Sequence, residues 1–136
     1  MGVELSPLAI AFLAEPVLAH VATLMKDGSP QVTPVWVETD GADILINSSE
    51  PRLKTQNMLR DGRVALSIMG LESSRKNLFV RGWVKEITAE GAIDQINGLS
   101  LKYTGKAEYE GFREGEARML IRIEPLRVRE RGLDRA

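Results

Sequence analysis

Hydrophobic positions along the chain recur first at helical spacing and then at strand spacing. Residues 5–13 carry the amphipathic period of a helix, with Ser6 and Pro7 suited to its cap and first turn. Such a helix would lie across one end of a barrel. Residues 17–25 are apolar and mixed, Asp27-Gly28 reads as a hairpin turn into a strand over 31–37, and Asp40-Gly41 as a second turn into 44–47. The expectation is a three-stranded meander. A short helix over 52–59 follows, closed at Asp61-Gly62 by a glycine in the left-handed region. Strands are predicted over 63–69 and 77–88, the latter with Gly82 inside it, and a further helix over 90–103. Between 116 and 123, Met119, Ile121 and Ile123 alternate with Arg118, Leu120 and Arg122, and 126–131 extends the sheet beyond Pro125.

Six or seven strands, two or three short helices and hairpin turns between the early strands point to a small antiparallel barrel. The length of 136 residues fits a single domain over 1–136. The runs 32–37 and 64–69 have no clean polar side, so their outer face is expected to be covered by a helix or a second subunit. A homodimer is the resulting expectation.

Composition narrows the functional classes. A chain that is 43% hydrophobic and 27% charged is globular rather than disordered, and its net charge of -1 gives no basic stripe for nucleic acid. With no cysteine, disulfides, thiolate catalysis and Cys-based metal sites are excluded. No apolar run approaches the roughly 18 residues that span a bilayer, and no signal-peptide pattern opens the chain, so a cytoplasmic location without membrane contact is expected. The charge is unevenly spread. Before residue 51, Glu4, Glu15, Asp27, Glu38, Asp40, Asp43 and Glu50 face a single cation, Lys26, and cations concentrate from Arg52 onward.

That onset coincides with the most informative segment, residues 46–57. An apolar strand ends in Asn47, Ser48 and Ser49, and a short helix begins near Pro51 with Arg52 and Lys54 in its opening turn. Unpaired backbone N–H groups and the positive end of the helix dipole converge there with two cations, as an anion site requires. Arg52 and Lys54 project about 200° apart on an ideal helix, so both reach one anion only at the first turn. The alternative is an ordinary helix capped by Ser48 or Ser49 with solvated cations.

Taken in order, 22–24, 27–36, Ile46-Asn47-Ser48, 52–57, 64–67 and 80–84 resemble the pyridoxamine 5'-phosphate oxidase-like split barrels. More narrowly, the chain is similar to their deazaflavin-dependent (coenzyme F-420) reductase branch, over about residues 8–125. The resemblance implies a mainly β fold, a six-stranded antiparallel split β-barrel (FMN-binding split barrel) with two or three short helices. It also implies a homodimer with a flavin or deazaflavin in a groove at the subunit interface. By the same resemblance, Thr33, Pro34 and Val35 line the ring system and Asn47 and Ser48 hydrogen-bond the ribityl chain or phosphate. Arg52 and Lys54 neutralise the phosphate, Asn57 supports them from the next turn, and Arg81 and Gly82 approach from the other subunit.

The chain departs from true pyridoxamine phosphate oxidases in ending at Arg127-Val128-Arg129-Glu130-Arg131-Gly132 without histidine, so that substrate is not expected. Its one histidine, His20, reads as structural, Trp36 and Trp83 as packing residues, and the tail arginines as a solvated face. Neither a Ser/His/Asp triad nor a metal cluster nor a carboxylate pair is evident, which fits chemistry carried by a cofactor. No catalytic side chain is assigned. The expected activity is hydride transfer from a reduced deazaflavin to a conjugated or unsaturated small molecule, with the proton supplied by a hydroxyl or ordered water. The alternatives are an FMN-dependent oxidase or reductase of the same fold, or a non-catalytic flavin- or haem-binding protein. Lys102, Lys106 and Arg113 are candidates to meet a polyanionic cofactor tail, and 71–77 to line the acceptor pocket.

Overall fold

The computed structural model describes residues 2–135. In chain order the elements are α1 (Pro7–Leu13), β1 (Leu18–Leu24), β2 (Pro30–Val35), β3 (Val37–Thr39), β4 (Ile44–Ser49), α2 (Leu53–Arg60), β5 (Arg63–Met69), β6 (Asn77–Thr88), α3 (Ala92–Thr104) and β7 (Arg118–Arg131). The seven strands form one antiparallel sheet in the order β2-β1-β5-β6-β7-β4-β3. Although β2 and β3 are separated in sequence only by Trp36, they lie on opposite edges of that order. The sheet therefore curls until its two edges meet at Trp36, which is the split barrel.

This closure corrects three expectations. The run 31–37 is not one strand: it breaks at Trp36, with β2 pairing back onto β1 and β3 pairing onto β4. The early strands make two separate hairpins rather than a three-stranded meander, and the strand count is seven rather than six. Counting β2 and β3 as one bent strand recovers six. The cause is closure itself, since a single run must leave one edge and join the other.

Inside the barrel, alternation selects the core: Val21 of β1, Leu66 and Ile68 of β5, Leu78 and Val80 of β6 and Ile121 and Ile123 of β7 are buried. α1 covers one end as expected, with the Ser6 hydroxyl accepting from the Ala9 N–H (3.0 Å), Pro7 in the first turn and Phe12 and Leu13 buried. β4 is buried on both faces because α3 packs across its outer side with Ala92, Gln95, Ile96, Leu99 and Ser100 at helical spacing. β5 instead alternates, and its Arg63, Ala65, Ser67 and Met69 side is left open or half-covered.

Proline and glycine account for the remaining shape. β7 runs unbroken through Pro125, opposite Gly82, where the β6–β7 register shifts. A Cβ on Gly82 would lie 2.7 Å from both the Glu124 carbonyl oxygen and Ile123 Cγ2, so the bare backbone lets the two strands close over the irregularity. α2 ends at Arg60 with an extended cap at Asp61, not at a left-handed glycine. Gly62 is required there for another reason: the Trp83 ring occupies the space of its side chain, 2.9 Å from an ideal Cβ.

Candidate functional site

The end of β4, the start of α2, the start of β7 and the β2 edge meet around a cleft of about 350 Å³. Pro34, Val35, Asn47, Ser48, Arg52 and Lys54, all expected from sequence, line it. Thr33 lies in an adjoining groove that shares Pro34, Arg52 and Lys54 with the cleft and is lined also by Arg113, Glu114 and Glu116. Trp36 stands over the cleft, stacked on Tyr103 at 5.3 Å and edge-on to Tyr109 at 5.8 Å. Leu71, from the segment expected to line an acceptor pocket, closes the apolar side.

The cations are arranged more favourably than helical geometry alone predicts. Arg52 is the N-cap of α2, with extended backbone (φ -70°, ψ 145°), so it stands off the helix and the 200° separation from Lys54 does not apply. Its Nε donates to the Ser49 hydroxyl (3.2 Å). Neither Ser48 nor Ser49 caps the helix, and no side chain does. Lys54 is 7% exposed and has no hydrogen-bond or ion-pair partner among the described residues. Burial, then the neighbouring charges of Arg52 and Arg118, bring its ammonium down to about 8. The buried hydroxyls of Ser48 and Thr33 also lack partners. Buried donors are normally satisfied, so an unpaired lysine beside two unpaired hydroxyls and an uncapped helix start fits an anionic ligand group.

Other expected residues are used differently. Asn57 does not line the cleft: its Nδ2 donates to Thr23 Oγ1 (3.0 Å) and its Oδ1 accepts from Arg60 Nη2 (2.8 Å), pinning α2 onto β1. Helical proximity to Lys54 is not enough, because a step of three residues along α2 turns Asn57 toward β1. Asn47 faces the cleft, yet its amide is consumed within the protein. Nδ2 donates to the Ala92 carbonyl (2.8 Å) and Gln95 Oε1 (2.9 Å), and Oδ1 accepts from Arg118 Nε (2.9 Å) and Nη2 (2.6 Å). Direct bonding of Asn47 to a cofactor is therefore corrected to an indirect part. Arg81 lies on the open outer face of the sheet with His20, Val32 and Arg127, and the space at Gly82 is taken by β7. Within one chain neither reaches the cleft.

Of the candidate tail cations, Lys102 donates to the carbonyls of Leu13 (2.7 Å) and Val37 (2.6 Å) and Lys106 pairs with Glu110 (2.5 Å), which leaves Arg113 on the groove. Sequence reasoning missed Arg118, Glu116, Tyr103 and Tyr109. Arg118 stood in the alternating pattern of β7, but only the pairing of β7 with β4, with Arg118 opposite Ser49, reveals that it meets the 46–57 motif.

A family profile described as pyridoxamine 5'-phosphate oxidase matches residues 5–132. The chain belongs to the pyridoxamine 5'-phosphate oxidase family. Among solved structures, an F420 reductase superposes with a TM-score of 0.78 at 26% identity, over 88% of this chain and 94% of that one. A conserved hypothetical protein of Mycobacterium tuberculosis superposes with a TM-score of 0.75 at 21% identity, over 98% and 88% of the two chains. HupZ of Group A Streptococcus reaches 0.64 at 19%, over 93% of each, and like the mycobacterial protein supports the fold alone. No curated protein matches the sequence. No helix among the described residues is long and apolar enough to cross a membrane.

Proposed function

We propose that this member of the family is an oxidoreductase that binds a phosphate-bearing deazaflavin of the coenzyme F-420 kind and passes a hydride to a conjugated or unsaturated small molecule. The observation that carries the reading is Lys54, buried and unpaired beside the partnerless hydroxyls of Ser48 and Thr33 and flanked by Arg52. Arg52, Lys54, Ser48 and the first N–H groups of α2 would hold the phosphate. Pro34 and Val35 would present the strand edge to the ring system, while Trp36 and Leu71 keep water from its exposed side. When bound, the cofactor supplies the hydride and the conjugated ring that accepts or releases it.

Two observations favour a deazaflavin over FMN. The adjoining groove adds Arg113 to Arg52 and Lys54, beside Glu114 and Glu116, which offers a third cation to a cofactor whose anionic chain extends beyond its phosphate, and the F420 reductase is similar over nearly its whole length. The outer face of the sheet carries the half-covered Ala22, Ala65 and Phe79 and leaves Val32 62% exposed, with Arg81 at its rim. We propose that a second copy of the chain covers it, giving a homodimer. A cytoplasmic location is part of the same reading.

Turnover tests the proposal. Reduced deazaflavin should be reoxidised by the protein in the presence of enones, quinones or linear tetrapyrroles, aerobically and without peroxide, as followed by the return of oxidised-cofactor absorbance. Tight FMN binding with peroxide release and no deazaflavin turnover would replace this reading with an FMN oxidase or reductase. Binding without turnover of either would make the protein a non-catalytic binder. Sedimentation of a monomer that still binds one cofactor per chain would contradict the dimer.

A further inference from the structure

We infer that Arg118 contacts the cofactor phosphate directly, and that Asn47 and Glu116 are positioning residues that hold its guanidinium for that contact. The inference rests on the proposed reading of the cleft as the seat of a phosphate-bearing flavin or deazaflavin. Arg118 is 7% exposed and lines the cleft. Its Nε and Nη2 both donate to Asn47 Oδ1, and Nη1 pairs with the buried carboxylate of Glu116. A guanidinium has five N–H bonds, so these contacts use three and leave one on each terminal nitrogen without a partner among the described residues. The guanidinium carbon also lies 5.2 Å over the Tyr109 ring, which restrains its plane.

The scaffold behind Arg118 is rigid in turn. Asn47 is locked from α3 by the Ala92 carbonyl and by Gln95, and Gln95 Nε2 is itself tied to the Ile46 carbonyl (3.2 Å). Because the Asn47 amide has no free donor or acceptor, its orientation toward the cleft serves Arg118 and not the ligand. Glu116 offsets one of three clustered cations, which makes a third buried positive charge tolerable beside Arg52 and Lys54. The influence of Arg118 on the Lys54 ammonium indicates that the two charges share one neighbourhood. Two free donors on a fixed planar fork, beside Lys54, match the oxygens of a phosphate.

The test measures affinity for FMN and for oxidised deazaflavin, each against its dephosphorylated counterpart, so that the phosphate preference is read separately from ring binding. The wild type should prefer the phosphorylated forms. Arg118→Met combined with Glu116→Gln, which leaves no lone buried carboxylate, should lose about tenfold or more of that preference with ring affinity unchanged. Asn47→Leu should lose several-fold of the preference and add nothing further in the Arg118→Met, Glu116→Gln background, since it acts through the same guanidinium. Where the neutral pair fails to fold, Arg118→Lys retains the charge without the fork and should still lose several-fold. A wild-type preference retained in the Arg118 variants, or an Asn47→Leu loss that adds in full to theirs, would overturn the inference while leaving the cleft's reading intact. A wild type with no phosphate preference would overturn that reading, and the inference with it.

Discussion

Two lysines, Lys54 at the start of α2 and Lys102 near the end of α3, share one electrostatic fate and differ in every other respect. Burial drives both ammonium groups down to about 8. Lys102 compensates by donating to the Leu13 and Val37 carbonyls and by lying 5.1 Å over the Tyr103 ring, while the Tyr103 hydroxyl donates to the Val17 carbonyl (2.8 Å) and accepts from the Val37 N–H (3.2 Å). That corner is complete, and it fastens α3 to the linker after α1 and to β3. Lys54 has no such acceptor among the described residues, and the charges that act on it are those of Arg52 and Arg118. A buried charge that the fold satisfies is a structural fastener; one that the fold leaves unsatisfied, in an open cleft, is what the proposed function assigns to the anionic group of a ligand.

Substitution should separate the two most sharply in binding. Lys54→Met is expected to weaken binding of FMN or oxidised deazaflavin by about ten- to a hundredfold, the equivalent of roughly 1.5 to 3 kcal/mol for a charge-assisted contact, while the apo protein melts no lower than wild type. Fluorescence titration with parallel thermal unfolding measures both. Lys102→Met should do the reverse, lowering stability by about 1–3 kcal/mol through two stranded carbonyls and leaving cofactor affinity within a fewfold. Equal loss of affinity in both variants would break the comparison.

The pH response gives a smaller effect. For each lysine the folded state holds its proton less tightly than the unfolded chain does, so between about pH 8 and 10.5 the unfolded state binds more protons and the lysine's contribution to stability rises with pH. Below about 8 the cost of the buried charge is fully present. The difference between wild type and Lys54→Met in denaturant unfolding should therefore narrow as pH rises through this window. Saturation with a phosphate-bearing cofactor should abolish that narrowing, because the anion restores the lysine's affinity for its proton. The smallest effect on binding is expected at Asn57. Asn57→Ala should cost about 1–3 kcal/mol of stability by freeing Thr23 and Arg60, with cofactor affinity unchanged.

Much of the fold and part of the candidate site are legible in the sequence. Hairpin glycines, the Ser6-Pro7 helix start and the alternation in β5 and β7 carry their own local physics, and the 46–57 motif concentrates enough polar and cationic groups to mark the cleft. What sequence could not convey was set by closure and register. Nothing local at Trp36 announces that the chain changes sheet edges there, and nothing in β7 says that Arg118 comes opposite Ser49. Asn57 illustrates the converse: its place three residues from Lys54 predicts a part in the anion site, but its amide answers to Thr23, thirty-four residues away in sequence. The resemblance sets Gly82 against a site on the other subunit, and only the pairing of β6 with β7 shows that Glu124 and Ile123 of the same chain crowd it.

The claim that Lys54 is held uncompensated for an anion is tested most directly by proton uptake on binding. Near pH 8 the ammonium is about half protonated in the free protein, and a bound phosphate should restore its full charge. Calorimetric titration of the wild type with FMN or oxidised deazaflavin, in buffers of different ionisation enthalpy, should therefore report an uptake of about half a proton per site at that pH, falling away toward pH 6.5, and none in Lys54→Met. Saturable binding by the wild type with no proton uptake at any pH between 7 and 9.5, or the same uptake in Lys54→Met, would contradict the account.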